Sequence, residues 1–326
     1  MNRLTRRTVM ITTAGLAASA LLPRTGIAQD ASPAAAGPIT VEGAMGTLEL
    51  PQAPERVVAL EWSLVENVLA LGVQPAGIAD VDGYNTWVNV PLELSADVAD
   101  VGQRLEPSLE SIAALEPDLI LTSEGRHEPI YDSLTDIAPT LMIPADVIGD
   151  DEPPLAHNWA SFRLIAEALG HAEAADTVIA EVEQTIADGA AAIAQAGEAG
   201  APFVVVQAFT SENVPTMRIF SNDSQIGQTL TELGLENAWQ GEGATSGFDT
   251  VTVEALVEVA DANFFYIVQD ADNIFKEQLA EDPIWNSLTF VQEGRTYPLG
   301  GDTWTFGGPR SIEVIVEKTL ASFLTK

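Results

Sequence analysis

The chain has no cysteine among its 326 residues. That excludes disulfides, thiolate-held metals, a thiol nucleophile and a lipid-modified cysteine at an export cleavage point. Histidine is almost as scarce: His127, His157 and His171 are the only three, and none falls in the His-Glu-x-x-His spacing of a zinc helix. Basic side chains are few, with fourteen Lys plus Arg against 48 Asp plus Glu and a formal charge of −34. Nucleic acid and anionic membrane are poor partners for such a surface. No Gly-x-Ser-x-Gly elbow and no phosphate-cradling loop occurs, so no recognised catalytic constellation is present. The one sustained apolar run, Val9 to Leu22, falls short of the roughly 20 residues of a membrane span.

That run reads as the core of a signal peptide over residues 1–28. Arg3, Arg6 and Arg7 precede it, and Gly26-Ile27-Ala28 supplies small residues for cleavage after Ala28. Thr5-Arg6-Arg7-Thr8-Val9-Met10 resembles a twin-arginine export motif. The competing reading keeps Val9 to Leu22 as an uncleaved anchor. Residues 1–28 hold four arginines and no acid, so their removal leaves ten basic residues against 48 acidic ones, a formal −38. A salt-adapted surface and simple acidic drift both account for that excess.

A hydrophobic content of 46% suffices for burial, and the length suits two lobes. Residues 29–52 read as a flexible leader with a first strand near Gly46 to Leu50. Residues 53–152 form an N-terminal α/β lobe. Its strands fall at Val57 to Leu60, Ala76 to Ala79, Leu119 to Leu121 and Leu141 to Ile143. Helices run from a cap at Ser63 to Gly72, from Ser108 to Leu115 and near Ile130 to Ile137. Residues 153–198 are helical, interrupted at Gly170 and weakened at Gly189, and long enough to act as an interlobe strut. Residues 199–326 form a C-terminal α/β lobe. Strands are expected at Phe203 to Ala208 and Phe264 to Val268, and helices near Ser224 to Leu233, Val253 to Val259 and Pro309 to Leu324. The fold class is α/β, two lobes with mostly parallel sheets joined by a long helical strut.

Six blocks in order, RVVALEW, VGQRLEPSLESIAALEPDLIL, SEGRHEPIYDSLTDIAPT, LGLENAWQG, WNSLTFVQEGRTYPL and DTWTFGG, make the stretch from Arg56 to Phe323 resemble the substrate-binding proteins of iron-siderophore transport. The related types bind ferric hydroxamates or ferric citrate. The resemblance implies a class III periplasmic binding protein fold and no catalysis. It implies a ferric-siderophore ligand whose iron the chelator holds, so no resident cofactor, and delivery to an ABC permease by a monomer in the periplasm or outside the cell. Arg104 matches the position where hydroxamate-binding relatives hold chelator oxygens, and Arg126 with His127 resembles an Arg-His pair of the citrate-binding relatives. Arg218 and Arg310 are candidates in the second lobe, and Trp62, Trp87 and Trp304 in the cleft wall. Trp159, Trp239 and Trp285 read as core. Ser246, with Phe248 close by, stands where hydroxamate relatives carry a cleft tryptophan, which favours a citrate-like ligand. Glu66, Gln228 and Glu232 match permease-docking positions.

Guanidinium suits chelator oxygens because it stays charged and offers a fork of donors. The alternatives at each position are surface ion pairs, Arg104 with Glu106 or Glu110 and Arg126 with Glu124 or Glu128, and a satisfied buried group at His127. For the whole chain, the alternatives are a binder of cobalamin, heme or bare metal, and a secreted hydrolase.

Overall fold

Short β-branched runs closed by turn residues set out the first sheet. The computed structural model describes residues 37–145, 153–241 and 247–325; the expected signal peptide, the first part of the leader and Ser246 lie outside them. Strands β1 (Ile39–Gly43) and β2 (Gly46–Leu50) form an antiparallel hairpin, so residues 39–50 hold two strands where the sequence suggested one. The first lobe then runs β3 (Val57–Ala59), α1 (Trp62–Ala70), β4 (Gly77–Ile78), α2 (Val81–Trp87), β5 (Ala99–Asp100), α3 (Leu109–Ala114), β6 (Leu119–Ser123), α4 (Tyr131–Thr135) and β7 (Thr140–Ile143). Its sheet is parallel throughout, in the order β5-β4-β3-β6-β7. The hairpin docks on its edge, where the Ala44 amide donates to the Met142 carbonyl at 2.8 Å.

Two details of this lobe matter for function. The chain turns one way after β3, towards β4 and β5, and the other way after β6, towards β7, so the loops at the carboxyl ends of β3 and β6 diverge and leave a crevice. Helix α1 starts at Trp62, one residue before the expected cap Ser63. The Glu61 carbonyl accepts its first hydrogen bond from the Val65 amide at 3.0 Å, while the Glu61 side chain takes no part in capping. Helix α3 starts as expected, with Ser108 Oγ accepting from the Ser111 amide at 3.2 Å.

The expected strut is two helices, α5 (Pro154–Leu169) and α6 (Ala172–Ala196), joined at Gly170 in the left-handed region with φ of 74°. The second is 25 residues long, about 37 Å at the α-helical rise. Phe162, Ile165, Ala166, Leu169, Ala175, Val178 and Ile179 lie in the first lobe's core, whereas Leu155, Val182, Ile186 and Ile193 lie in the second's. The helix pair therefore belongs to both cores. Gly189 does not interrupt α6; a Cβ there would stand 2.7 Å from Leu233 Cδ2, so the glycine permits close packing.

The second lobe contains β8 (Pro202–Ser211), β9 (Val214–Phe220), α7 (Gln225–Glu232), β10 (Glu236–Asn237), β11 (Phe248–Val251), β12 (Asn263–Val268), α8 (Thr289–Gln292), β13 (Thr296–Pro298) and α9 (Pro309–Phe323). Strands β10, β8, β12 and β13 pair in parallel. Strands β9 and β11, missed in the sequence like the short β10 and β13, extend the sheet antiparallel on the other side. Glu212 and Asn213 join β8 to β9 with φ of 48° and 65°, the paired positive values of a tight hairpin turn. Val253–Val259 is a 3-10 helix. No helix among the described residues is long and apolar enough to cross a membrane.

Candidate functional site

Three loops of the first lobe meet at the crevice. The β3–α1 junction supplies Glu61 and Trp62, the β5–α3 loop supplies Arg104, and the β6–α4 loop supplies Arg126 and His127. Glu61 Oε2 accepts from Arg104 Nη2 at 2.6 Å and from Nε at 3.0 Å. Arg126 Nε stands 2.8 Å from Glu61 Oε1, but off the hydrogen-bonding line, so that oxygen is ion-paired and has no aligned donor. The glutamate is 8% exposed at its side chain, Arg104 19% and Arg126 37%, which places both cations outside the carboxylate. Neither arginine pairs with the neighbouring acids named as the alternative, Glu106 or Glu110 for Arg104 and Glu124 or Glu128 for Arg126. Arg104 also lies over the Trp62 ring at 4.1 Å and the Trp304 ring at 5.6 Å, contacts of about 0.5 to 2 kcal/mol.

His127 was expected to face ligand; the structure corrects this. It is fully buried, with Nε2 donating to the Arg104 carbonyl at 2.8 Å and Nδ1 accepting from the Ser123 amide at 3.5 Å. Burial lowers its pKa, the Arg104 carbonyl opposing, so the ring is held neutral. It ties the Arg104 loop to the end of β6.

From Trp62 a band of rings crosses to the second lobe. Trp62 meets Trp304 at 5.0 Å, Trp304 meets Phe306 at 5.5 Å, and Phe306 meets Phe248 at 6.1 Å and Phe220 at 6.0 Å. Tilted and edge-on ring pairs of this kind are favourable and geometrically selective. At the far end, Arg218 on β9 lies over Phe248 at 4.8 Å and Phe209 at 5.1 Å and donates to Gln207 Oε1 at 3.1 Å. Among the described residues no carboxylate lies within ion-pair distance of it. Desolvation lowers the Arg218 pKa, yet a guanidinium remains charged. Phe248 and Phe306 are half-buried, and Trp304 is 9% exposed with its indole Nε1 unpartnered.

The remaining expected site residues lie elsewhere. Arg310 holds Glu313 at 2.8 Å and Glu181 on α6 at 2.7 Å, so it clamps α9 to the strut. Trp87 ends α2, half-buried against the first lobe's core, and joins none of the ring pairs among the described residues. Glu66 was expected on a permease-facing surface, but its exposure is 0%. Its Oε1 accepts from the Ser311 amide at 2.8 Å and its Oε2 from the Ser311 hydroxyl at 2.6 Å, so α1 of one lobe caps α9, which has no cap of its own. Gly307 and Gly308 allow that approach, because a Cβ would meet Glu66 Oε2 at 2.6 Å or Asn67 Oδ1 at 2.1 Å. Gln228 is also engaged internally, its Oε1 accepting from the Leu155 amide at 2.7 Å at the start of α5. Glu232 is exposed.

The arrangement presents three guanidiniums and one carboxylate beside a shared aromatic surface, which suits partly charged oxygens on a bulky apolar frame. In the sequence Glu61 had only its place at a strand end on the crevice and Phe248 only its place beside Ser246; Phe306 and Phe220 carried no role, and nothing local marked Glu61 as the partner of two arginines.

A family model described as "Periplasmic binding protein" matches residues 57–303. The chain is 31% identical to the iron(3+)-hydroxamate-binding protein FhuD of Escherichia coli, over 79% of this chain and 83% of that one. It is 30% identical to the iron(3+)-citrate-binding protein YfmC of Bacillus subtilis, over 84% of this chain and 82% of that one. Among solved structures it is similar to the siderophore-binding protein FhuD of Vibrio cholerae with bound iron(3+)-Desferal. The TM-score there is 0.74 at 27% identity, covering 83% of this chain and 98% of that one.

Proposed function

The chain belongs to the periplasmic binding protein family, and from that premise we propose that it captures a ferric siderophore outside the cytoplasm and passes it to an ABC permease. One observation carries the proposal: the ring band spans both lobes with a guanidinium over each end, Arg104 from the first and Arg218 from the second. In a body of formal −38 such a pocket of cations is a local exception, and it suits a chelate whose rim oxygens carry negative charge. Arg104, Arg126 and Arg218 hold those oxygens, while Trp62, Trp304, Phe306 and Phe248 receive the organic frame. The chelator keeps the iron, so the protein needs no resident cofactor and performs no chemistry on its cargo. It works as a monomer, and exposed Glu232 remains the docking candidate on the second lobe.

A titration of tryptophan fluorescence against ferric citrate, ferric hydroxamates and ferric catecholates tests this, with iron-free chelators and zinc as controls. Saturable quenching by at least one ferric chelate, and none by zinc, is expected, since Trp62 and Trp304 line the site. No response to any ferric chelate overturns the proposal.

A further inference from the structure

Glu61 stands inside the site with the wrong sign for an anionic ligand. Its carboxylate is shared between two guanidiniums, Oε2 by Arg104 and Oε1 by Arg126, so this end of the site has a net charge of one rather than two. His127 adds none, being buried and neutral. Glu61 is not committed to helix capping, and Oε1 lacks an aligned donor although it is buried. A carboxylate retained there at the cost of desolvation, with one oxygen incompletely satisfied, does more than fasten a loop. Arg218 at the opposite end has no such counter-ion among the described residues.

We infer that Glu61 is a specificity-determining residue: it halves the positive charge of the Arg104–Arg126 pair and so sets which net ligand charge the site prefers. This rests on the capture of a ferric chelate proposed above. Without the carboxylate, highly anionic chelates gain and cationic ones lose. Unit charges several ångström apart in a half-buried site change affinity by about tenfold per unit of ligand charge.

The test compares wild-type protein, Glu61→Gln, Arg126→Gln and the double variant in titrations with anionic ferric citrate and cationic ferric Desferal, each variant checked for native unfolding. Glu61→Gln is expected to tighten ferric citrate about tenfold and weaken ferric Desferal, and Arg126→Gln, which also loses a contact, to shift the preference the other way, weakening citrate more than Desferal. The double variant lacks the Arg126 contact and so binds each chelate more weakly, but with the original net charge its preference for citrate over Desferal should return to within about threefold of wild type. Where wild type binds ferric citrate alone, the citrate result decides. Unchanged or weakened citrate binding in Glu61→Gln, or a double variant that keeps the ligand-charge preference of Arg126→Gln, overturns the inference and leaves chelate capture standing. Wild type that binds no chelate overturns both.

Discussion

Glu61 and Glu66 lie five residues apart on one strand-to-helix segment, and both are buried, yet they do opposite things. Glu61 faces the crevice and meets two cations; Glu66 faces the rear and meets the amide and hydroxyl of Ser311 at the start of α9. The first pair of contacts joins loops within one lobe, whereas the second joins one lobe to the other. Identical side chains thus acquire a recognition role or a structural one according to the partner that distant chain segments bring, 43 residues away at Arg104 and 245 at Ser311.

The sharpest way to break this contrast is to remove the cations from the front carboxylate. Replacing Arg104 and Arg126 together by Ala is expected to weaken chelate binding by about 3 to 6 kcal/mol, at 1.5 to 3 for each charge-assisted contact. Glu61, then unpaired, adds repulsion. A loss under tenfold in titration would show that the front is not a binding end. At the rear, Glu66→Ala should reduce unfolding free energy in denaturant by about 3 to 5 kcal/mol, with two buried hydrogen bonds lost, their Ser311 donors left unsatisfied and a helix start left bare. Binding by the folded protein should hold within about threefold. A large affinity loss without a stability loss would reverse the roles assigned to the two carboxylates.

The smallest effect concerns the support behind Arg104. Burial lowers the His127 pKa from the ordinary 6.5, so below that value the unfolded chain takes up a proton the folded one refuses. The stability contributed by the neutral ring is complete above 6.5 and is lost as pH falls towards the depressed folded value. Relative to His127→Gln, wild-type unfolding free energy should therefore fall on acidification through this range, by less than about 1.4 kcal/mol per pH unit. Equal pH dependence of the two proteins would mean the ring titrates as if exposed.

Much of the fold was legible because it is written locally. Ser108 and Ser224 cap α3 and α7 as their spacing suggested, and Gly170 divides the helical segment. The apolar runs of β3, β6, β8 and β12 are buried. What was missed depends on pairing. Strand β9 carries Pro215 and alternates Met217 and Ile219 with Thr216 and Arg218, a weak signal until β8 lies beside it. The site was half legible. Arg104, Trp62, Trp304 and Arg218 gather around the band, but nothing near Glu66 or His127 in sequence discloses that each is sealed inside by a residue from another element, and nothing near Arg310 that it reaches Glu181 on α6.

The seat of Glu66 against Gly307 and Gly308 also governs how far the molecule can gape. Prising the halves apart would break the two hydrogen bonds between Glu66 and Ser311 and strip α9 of its side-chain cap, so wide yawning is resisted at the root. Ligand exchange is then expected to proceed without a wide parting of the two lobes.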